Sequence, residues 1–163
     1  MRRLLLIRHA KSSHKNPELD DHERPLNRRG ERDVVSMARY LENKGEHLDV
    51  IYSSTAVRAL DFAQTISEFT HVTLMPDLSF YTFSANDLLE VLQNLPEQAH
   101  CVAVVAHNPA VTQAANHLTG EMIENIPTAG IVAMDCDIEG WYQLGERSST
   151  LDYFDYPKMF ERR

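Results

Sequence analysis

Cys101-Val102-Ala103-Val104-Val105-Ala106, followed at once by His107-Asn108-Pro109, is the stretch that decides the fold. Six apolar residues in a row read as a strand buried on both faces. The run is far short of the roughly 20 residues that cross a bilayer. His107 closes it. Asn108-Pro109 then opens a helix, with Asn108 as the cap candidate and Pro109 at the first helical position. That helix runs to Leu118, and Gly120 stops it.

Outward from this unit, strand and helix alternate. Strands are expected at Leu4–Ile7, Val50–Tyr52 and Val72–Leu74. Helical spacing marks Gly30–Lys44 (Val34, Ala38, Leu41), Ala56–Phe69 (Phe62, Ile66, Phe69) and Asp87–Leu95 (Leu88, Leu92, Leu95). Residues 11–28, with Pro17 and Pro25, read as a long loop. Beyond Gly120 the pattern changes. Gly130–Asp135 and Leu151–Phe154 read as strands near Trp141–Leu144, with no helix between them. The expectation is an α/β chain with a mixed, mostly parallel central sheet flanked by helices, in one domain over residues 1–163. Lys158–Arg163 reads as a frayed tail.

The 163 residues carry 16 Lys+Arg against 24 Asp+Glu, a formal net charge of −8. That sign repels a phosphate backbone at long range, so nucleic acid is not an expected partner. With 43% hydrophobic residues the chain has the material for a sizeable core. No run is long enough for a membrane span. Arg8-His9 ends the first apolar run too soon for a signal peptide. Cys101 and Cys136 lie inside apolar segments and read as reduced core residues of a cytoplasmic protein. Neither Cys-x-x-Cys nor His-Glu-x-x-His occurs, and no Gly-x-Gly-x-x-Gly follows a strand. Zinc and dinucleotides are therefore not expected.

The polar residues that follow the strands carry the chemistry. Arg8-His9 comes directly after the first strand and His107 directly after the Cys101–Ala106 strand. Arg58 falls in the first turn of the helix after Val50–Tyr52. Ligands of open α/β sheets bind at the carboxyl ends of the strands, so all four residues point toward one edge. Two arginines, two histidines and two helix N-termini there suit a dianion such as a phosphoryl group. Arginine in a first turn opposes the helix dipole, a small cost that a bound anion explains.

These residues sit in a series of motifs. Arg8-His9-Ala10-Lys11-Ser12-Ser13 resembles the Arg-His-Gly signature of the histidine phosphatase superfamily. Asp21-His22-Glu23-Arg24-Pro25-Leu26-Asn27-Arg28-Arg29-Gly30 resembles its D-x-x-R-P-L-x-x-x-G segment, and Ser53-Ser54-Thr55-Ala56-Val57-Arg58-Ala59 its S-S-x-x-x-R-A stretch. Val105-Ala106-His107-Asn108 is similar to the second-histidine motif, and Asn125-Ile126-Pro127-Thr128 to the segment leading into a later strand. The resemblance covers nearly the whole chain. It implies the phosphoglycerate mutase-like three-layer fold. The short length and the Arg-Pro-Leu segment look most like the SixA-type phosphohistidine phosphatases. Ala10 stands where the family usually has glycine, a trait shared with SixA-like relatives.

The resemblance also implies roles. His9 is the expected nucleophile, forming a phosphohistidine intermediate that water hydrolyses. Arg8 and Arg58 hold the phosphoryl oxygens, and His107 donates to one as charge develops. Arg24 and Ser12 are further candidates for binding substrate, against a solvated charge run as the plain alternative. Asp21 and Asp87 are both candidates for a general acid. A phosphohistidine leaving group, once protonated, needs none. The expected activity is a metal-independent phosphatase, without cofactor, acting as a monomer on phosphohistidine in a partner protein. The alternatives are a phosphatase for a small metabolite phosphoester and a catalytically weak module that binds phosphorylated proteins.

Overall fold

β1 (Arg2–Arg8) lies inside a six-stranded sheet because its side chains are apolar on both faces. The computed structural model describes residues 1–157, so the tail expected at Lys158–Arg163 lies outside the described residues. β1 pairs in parallel with β4 (Cys101–Ala106) and antiparallel with β5 (Ile131–Cys136). β2 (Val50–Ser53) pairs in parallel with β4 and with β3 (Leu74–Pro76). β6 (Ser149–Asp155) closes the other edge antiparallel to β5. The order is β3-β2-β4-β1-β5-β6, a mixed sheet with mostly parallel pairings.

Among the described residues, four helices cover the sheet: α1 (Arg28–Lys44), α2 (Val57–Thr70), α3 (Ala85–Gln93) and α4 (Ala110–Thr119). Leu5 and Ile7 of β1 pack with Val34 and Met37 of α1 and Phe62 and Ile66 of α2. Leu4 and Leu6 face the other way, toward Leu88 and Leu92 of α3 and Val111 and Leu118 of α4. The period-2 alternation of one strand thus feeds two cores, giving three layers. Every residue of β4 is buried. Each of its three valines contributes about 2 kcal/mol of transfer free energy. Among the described residues, no helix is long and apolar enough to cross a membrane.

Local chemistry moves several boundaries. The Ser67 hydroxyl donates to the Val72 carbonyl (2.6 Å), and His71 closes α2 in the left-handed region at φ 60°. Val72 is thereby tied to the helix end, and β3 begins at Leu74 instead of Val72. The Ser84 hydroxyl accepts from the Asp87 N–H, so α3 starts at Ala85, two residues before the expected Asp87. It stops at Gln93, short of Leu95-Pro96. Trp141–Gln143 is a single 3-10 turn between β5 and β6. Pro109 sits one residue before α4, after a cis Asn108–Pro109 bond. The N-cap position is thus Pro109 instead of Asn108, yet Asn108 Oδ1 still satisfies the helix end, accepting from the N–H and the hydroxyl of Thr112 (3.1 and 2.9 Å).

The 11–28 loop is more ordered than its composition suggests. Its two limbs are pinned by a bridge between Ser12 and Leu26 and by backbone bonds Ser13 N–H to Pro25 O (2.7 Å) and Asn27 N–H to Lys11 O (3.0 Å). Asp21–Glu23 forms a 3-10 turn between them. Gly30 permits the arrangement, because a Cβ there would collide with the Lys11 carbonyl. Asn27 then caps α1 by accepting from the Gly30 N–H (2.8 Å).

Candidate active site

Strand register builds the site. Arg8 of β1 pairs with Ala106 of β4, so the residues that follow, His9 and His107, emerge side by side with ring centroids 5.1 Å apart. On the other flank of β4, β2 delivers Ser54, whose N–H donates to the Val105 carbonyl (2.9 Å). α2 starts three residues later and places Arg58 in its first turn. Arg8, His9, Arg58 and His107 therefore meet at the carboxyl ends of adjacent parallel strands, the edge expected from the sequence.

His9 presents a defined tautomer. Its Nδ1 lies 2.7 Å from the Ala10 carbonyl, which can only accept, so Nδ1 carries the proton and Nε2 the lone pair. Burial lowers its pKa to about 4, helped by the charges of Arg58, Arg8 and Arg24, while the bond to Ala10 opposes the fall. Ala10 is fully buried and is not among the residues with positive φ, so alanine fits here without backbone strain.

His107 is fully buried and neutral. Its Nδ1 faces Arg58 Nη2 (3.4 Å), a donor only, so the proton sits on Nε2 and goes to Ser54 Oγ (2.7 Å). Burial lowers its pKa to about 3, with His9 and Arg58 adding to the fall. Its two nitrogens thus serve Ser54 and Arg58 in this arrangement.

The arginines carry the most telling feature. Arg58 is 2% exposed. Its Nη1 donates to the Asp21 carbonyl (2.6 Å) and its Nη2 to Asp21 Oδ2 (2.9 Å). Arg8 Nη1 donates to the Ile126 carbonyl (2.8 Å), and burial lowers the pKa of Arg8. The Nε of each is buried with no hydrogen-bond partner among the described residues. Leaving a charged donor unpaired away from water costs about 1–3 kcal/mol or more, so two at one edge need an explanation.

Arg24 and Ser12 meet each other: Arg24 Nη1 donates to Ser12 Oγ (2.6 Å), and Nη1 also faces the His14 ring. The remaining face of Arg24 pairs with Asp21 (2.9 Å). Partial burial works against ionisation of Asp21, but hydrogen bonds from Tyr81, Arg24 and Arg58 hold its carboxyl well below the usual range, so in this arrangement it stands as a carboxylate. Asp87 lies in the first turn of α3 and lines a different cavity of about 630 Å³ with Tyr52, Met75 and Phe80.

Sequence reading missed three contributors. Ser54 orients His107, and its position in the Ser53-Ser54 pair beside Arg58 was the available signal. Tyr81 and Phe83 place their rings 5.2 and 5.3 Å from His107, and Phe83 is 46% exposed. They lie between elements, where no periodicity marks them. The 125–128 segment approaches through its backbone, since the Ile126 carbonyl accepts from Arg8 and from Asn108 Nδ2 (3.2 Å). Among the described residues, no three His, Cys, Asp or Glu side chains group to hold a metal ion.

Known proteins resemble this chain in sequence and in fold. An uncharacterised chloroplast protein of Arabidopsis thaliana is 32% identical over 134 residues, covering 76% of this chain. The chain spans 62% of that relative's length. A solved structure from Agrobacterium tumefaciens, named for the phosphohistidine phosphatase SixA, superposes with a TM-score of 0.82 at 23% identity, covering 96% of this chain and 98% of that one. The protein histidine phosphatase SixA complexed with tungstate superposes at 0.79 with 18% identity, covering 97% and 99%. These likenesses establish the fold, a histidine phosphatase fold closely matched by SixA structures. Residues 4–80, which run from β1 through the Arg58 helix, match the model of the histidine phosphatase superfamily, branch 1. The amino-terminal part of the chain, through the Arg58 helix, is thus similar to that superfamily.

Proposed function

We propose that this chain is a phosphatase that works through a covalent phosphohistidine at His9, and that its substrate is phosphohistidine in a partner protein. One observation carries the reading: a neutral, tautomer-fixed His9 stands among arginines of which two keep a buried Nε without a partner. A phosphoryl group supplies the acceptors those donors lack. The tungstate complex of the SixA relative is in keeping, since tungstate is a phosphate-like oxyanion.

In the first step the lone pair on His9 Nε2 attacks phosphorus in line. The P–N bond to the substrate imidazole breaks, and its electron pair goes to the departing nitrogen, which takes up a proton from water. Charge on the three equatorial oxygens is held by Arg8 and Arg58. A phosphoryl dianion beside His107 favours protonation of its Nδ1, which then donates as well. In the second step water attacks phosphorus and gives up a proton to solvent, which replaces the one taken in the first step; the P–Nε2 bond breaks with its electron pair returning to Nε2, and inorganic phosphate leaves with His9 restored. Arg24 and Ser12 lie at the margin and join through Arg24's charge, which reaches His9.

A protein-borne substrate is favoured by the exposed ring of Phe83 beside His107, which opens the site on an aromatic edge. We place the enzyme in the cytoplasm, where Cys101 and Cys136, both free and buried, remain reduced.

The test is phosphate release, with chelator present, from a phosphohistidine carrier protein and from p-nitrophenyl phosphate, for wild type and His9→Ala. The expected result is preferential turnover of the carrier and a loss of about 10⁴-fold or more in the variant. Turnover of the small ester alone moves the substrate to metabolites. Phosphate binding without turnover of either makes the chain a binding module.

A further inference from the structure

Asp21 belongs to the 11–28 loop, yet it contacts the arginines of the site. Its Oδ2 accepts from Arg58 Nη2 (2.9 Å) and from the Tyr81 hydroxyl (2.6 Å). Its Oδ1 accepts from Arg24 Nη2 (2.9 Å), and its backbone carbonyl from Arg58 Nη1 (2.6 Å). One residue therefore engages two arginines and a tyrosine drawn from three separate segments. With both outer nitrogens of Arg58 directed at Asp21, Nε is the donor left without a partner. The neighbouring residue, His22, fastens the turn to the rim: its Nε2 lies 2.7 Å from Thr55 Oγ1, and its ring meets that of Tyr81 edge-on at 4.9 Å.

We propose that Asp21 is a positioning residue for phosphoryl transfer: it holds the Arg58 and Arg24 guanidiniums in place and sets the charge of the site. This deepens the phosphoryl reading above and rests on it. Arg8, Arg24 and Arg58 with the single Asp21 carboxylate leave two net positive charges, the complement of a phosphoryl dianion. Tyr81 helps orient the carboxylate through Oδ2, the same oxygen that Arg58 holds. Arg58 itself is nearly inaccessible, whereas Asp21 remains 45% exposed in its side chain, so the clamp is assembled from the solvent side onto a buried cation.

Asp21→Asn removes the charge and keeps the shape. The expected result is a fall in kcat/KM for p-nitrophenyl phosphate of about 10- to 100-fold, the scale of a misplaced reacting geometry. Inorganic phosphate should bind about 10-fold more weakly in a calorimetric titration, through loss of a held charge-assisted donor. Asp21→Glu should recover part of both. Tyr81→Phe keeps the carboxylate but removes one of its donors, and should move both readouts in the same direction by less; it serves if Asp21→Asn does not fold. Tighter phosphate binding with undiminished turnover in Asp21→Asn would make the carboxylate a competitor for the arginines and overturn the proposal. Phosphate affinity is read without turnover. An enzyme inactive on every phosphohistidine donor would thus sink the substrate reading and leave this test standing.

Discussion

Arg3 and Arg8 stand at opposite ends of β1. Arg3 is saturated: Nε and Nη2 donate to Glu46 (2.8 and 2.7 Å), Nη1 to Asp135 (3.0 Å) and Nη2 to Asp152 (2.7 Å). Its pKa is raised, with the Glu46 hydrogen bond as the largest cause. Arg8 has no carboxylate on its guanidinium among the described residues; it gives Nη1 to a backbone carbonyl, keeps Nε unpaired, and burial lowers its pKa. At the amino end of the strand, cations are neutralised and join the sheet to its surroundings. At the carboxyl end, Arg8 is left under-satisfied. A buried charge held short of partners is costly, so its persistence points to a ligand.

Substituting each arginine in turn is the strongest way to break this comparison. Arg8→Ala should lower kcat/KM about 10³-fold, as loss of a donor to developing charge does, with Tm unchanged or raised. Arg3→Ala should do the reverse, costing about 3 kcal/mol of folding stability by stranding the buried Glu46 and leaving kcat/KM of the folded enzyme within about twofold. If Arg3→Ala loses activity while still folded, or Arg8→Ala unfolds the chain, the division between the two ends fails.

Acid titration sharpens the same contrast with a smaller effect. Desolvation, with nearby positive charge, lowers the pKa of His9 to about 4 and of His107 to about 3. Both are depressed below the unfolded value, so between that value and the folded one the unfolded chain binds more protons. Stability then rises with pH, and it falls as the solution is acidified from about pH 6.5 toward 4. Ring titration by NMR should give both histidines well below the ordinary range, and inorganic phosphate should raise the value for His107. His9→Ala should flatten the acid slope of Tm. Ordinary titration of either ring near 6.5 would remove the low-dielectric site assumed here.

Much of this was legible in the chain. Continuous apolar runs located β1 and β4, because strands buried on both faces need no alternation. The residues after those runs located Arg8, His9 and His107, because parallel strands deliver their carboxyl ends to one edge. What escaped depends on contacts between distant segments. Tyr81 and Phe83 come from stretches without periodicity, and only the folded loops bring them to His107 and bring Asp21, named from its motif, onto Arg58. Element ends shifted where side-chain caps, such as Ser84 and the Ser67 bond to Val72, outweighed the apolar pattern. The tautomer of His9 rests on one carbonyl, Ala10 O, whose direction no spacing predicts.

The central claim is that the under-satisfied end of β1 receives a phosphoryl group on His9. It is tested most directly by mixing the enzyme with a radiolabelled phosphohistidine carrier, quenching in alkali within one turnover, and mapping the label by peptide. Label is expected on the peptide holding His9, absent from His9→Ala and lost on dilution into water as phosphate appears. Release of phosphate with no label on the enzyme, or label on another residue, would contradict it.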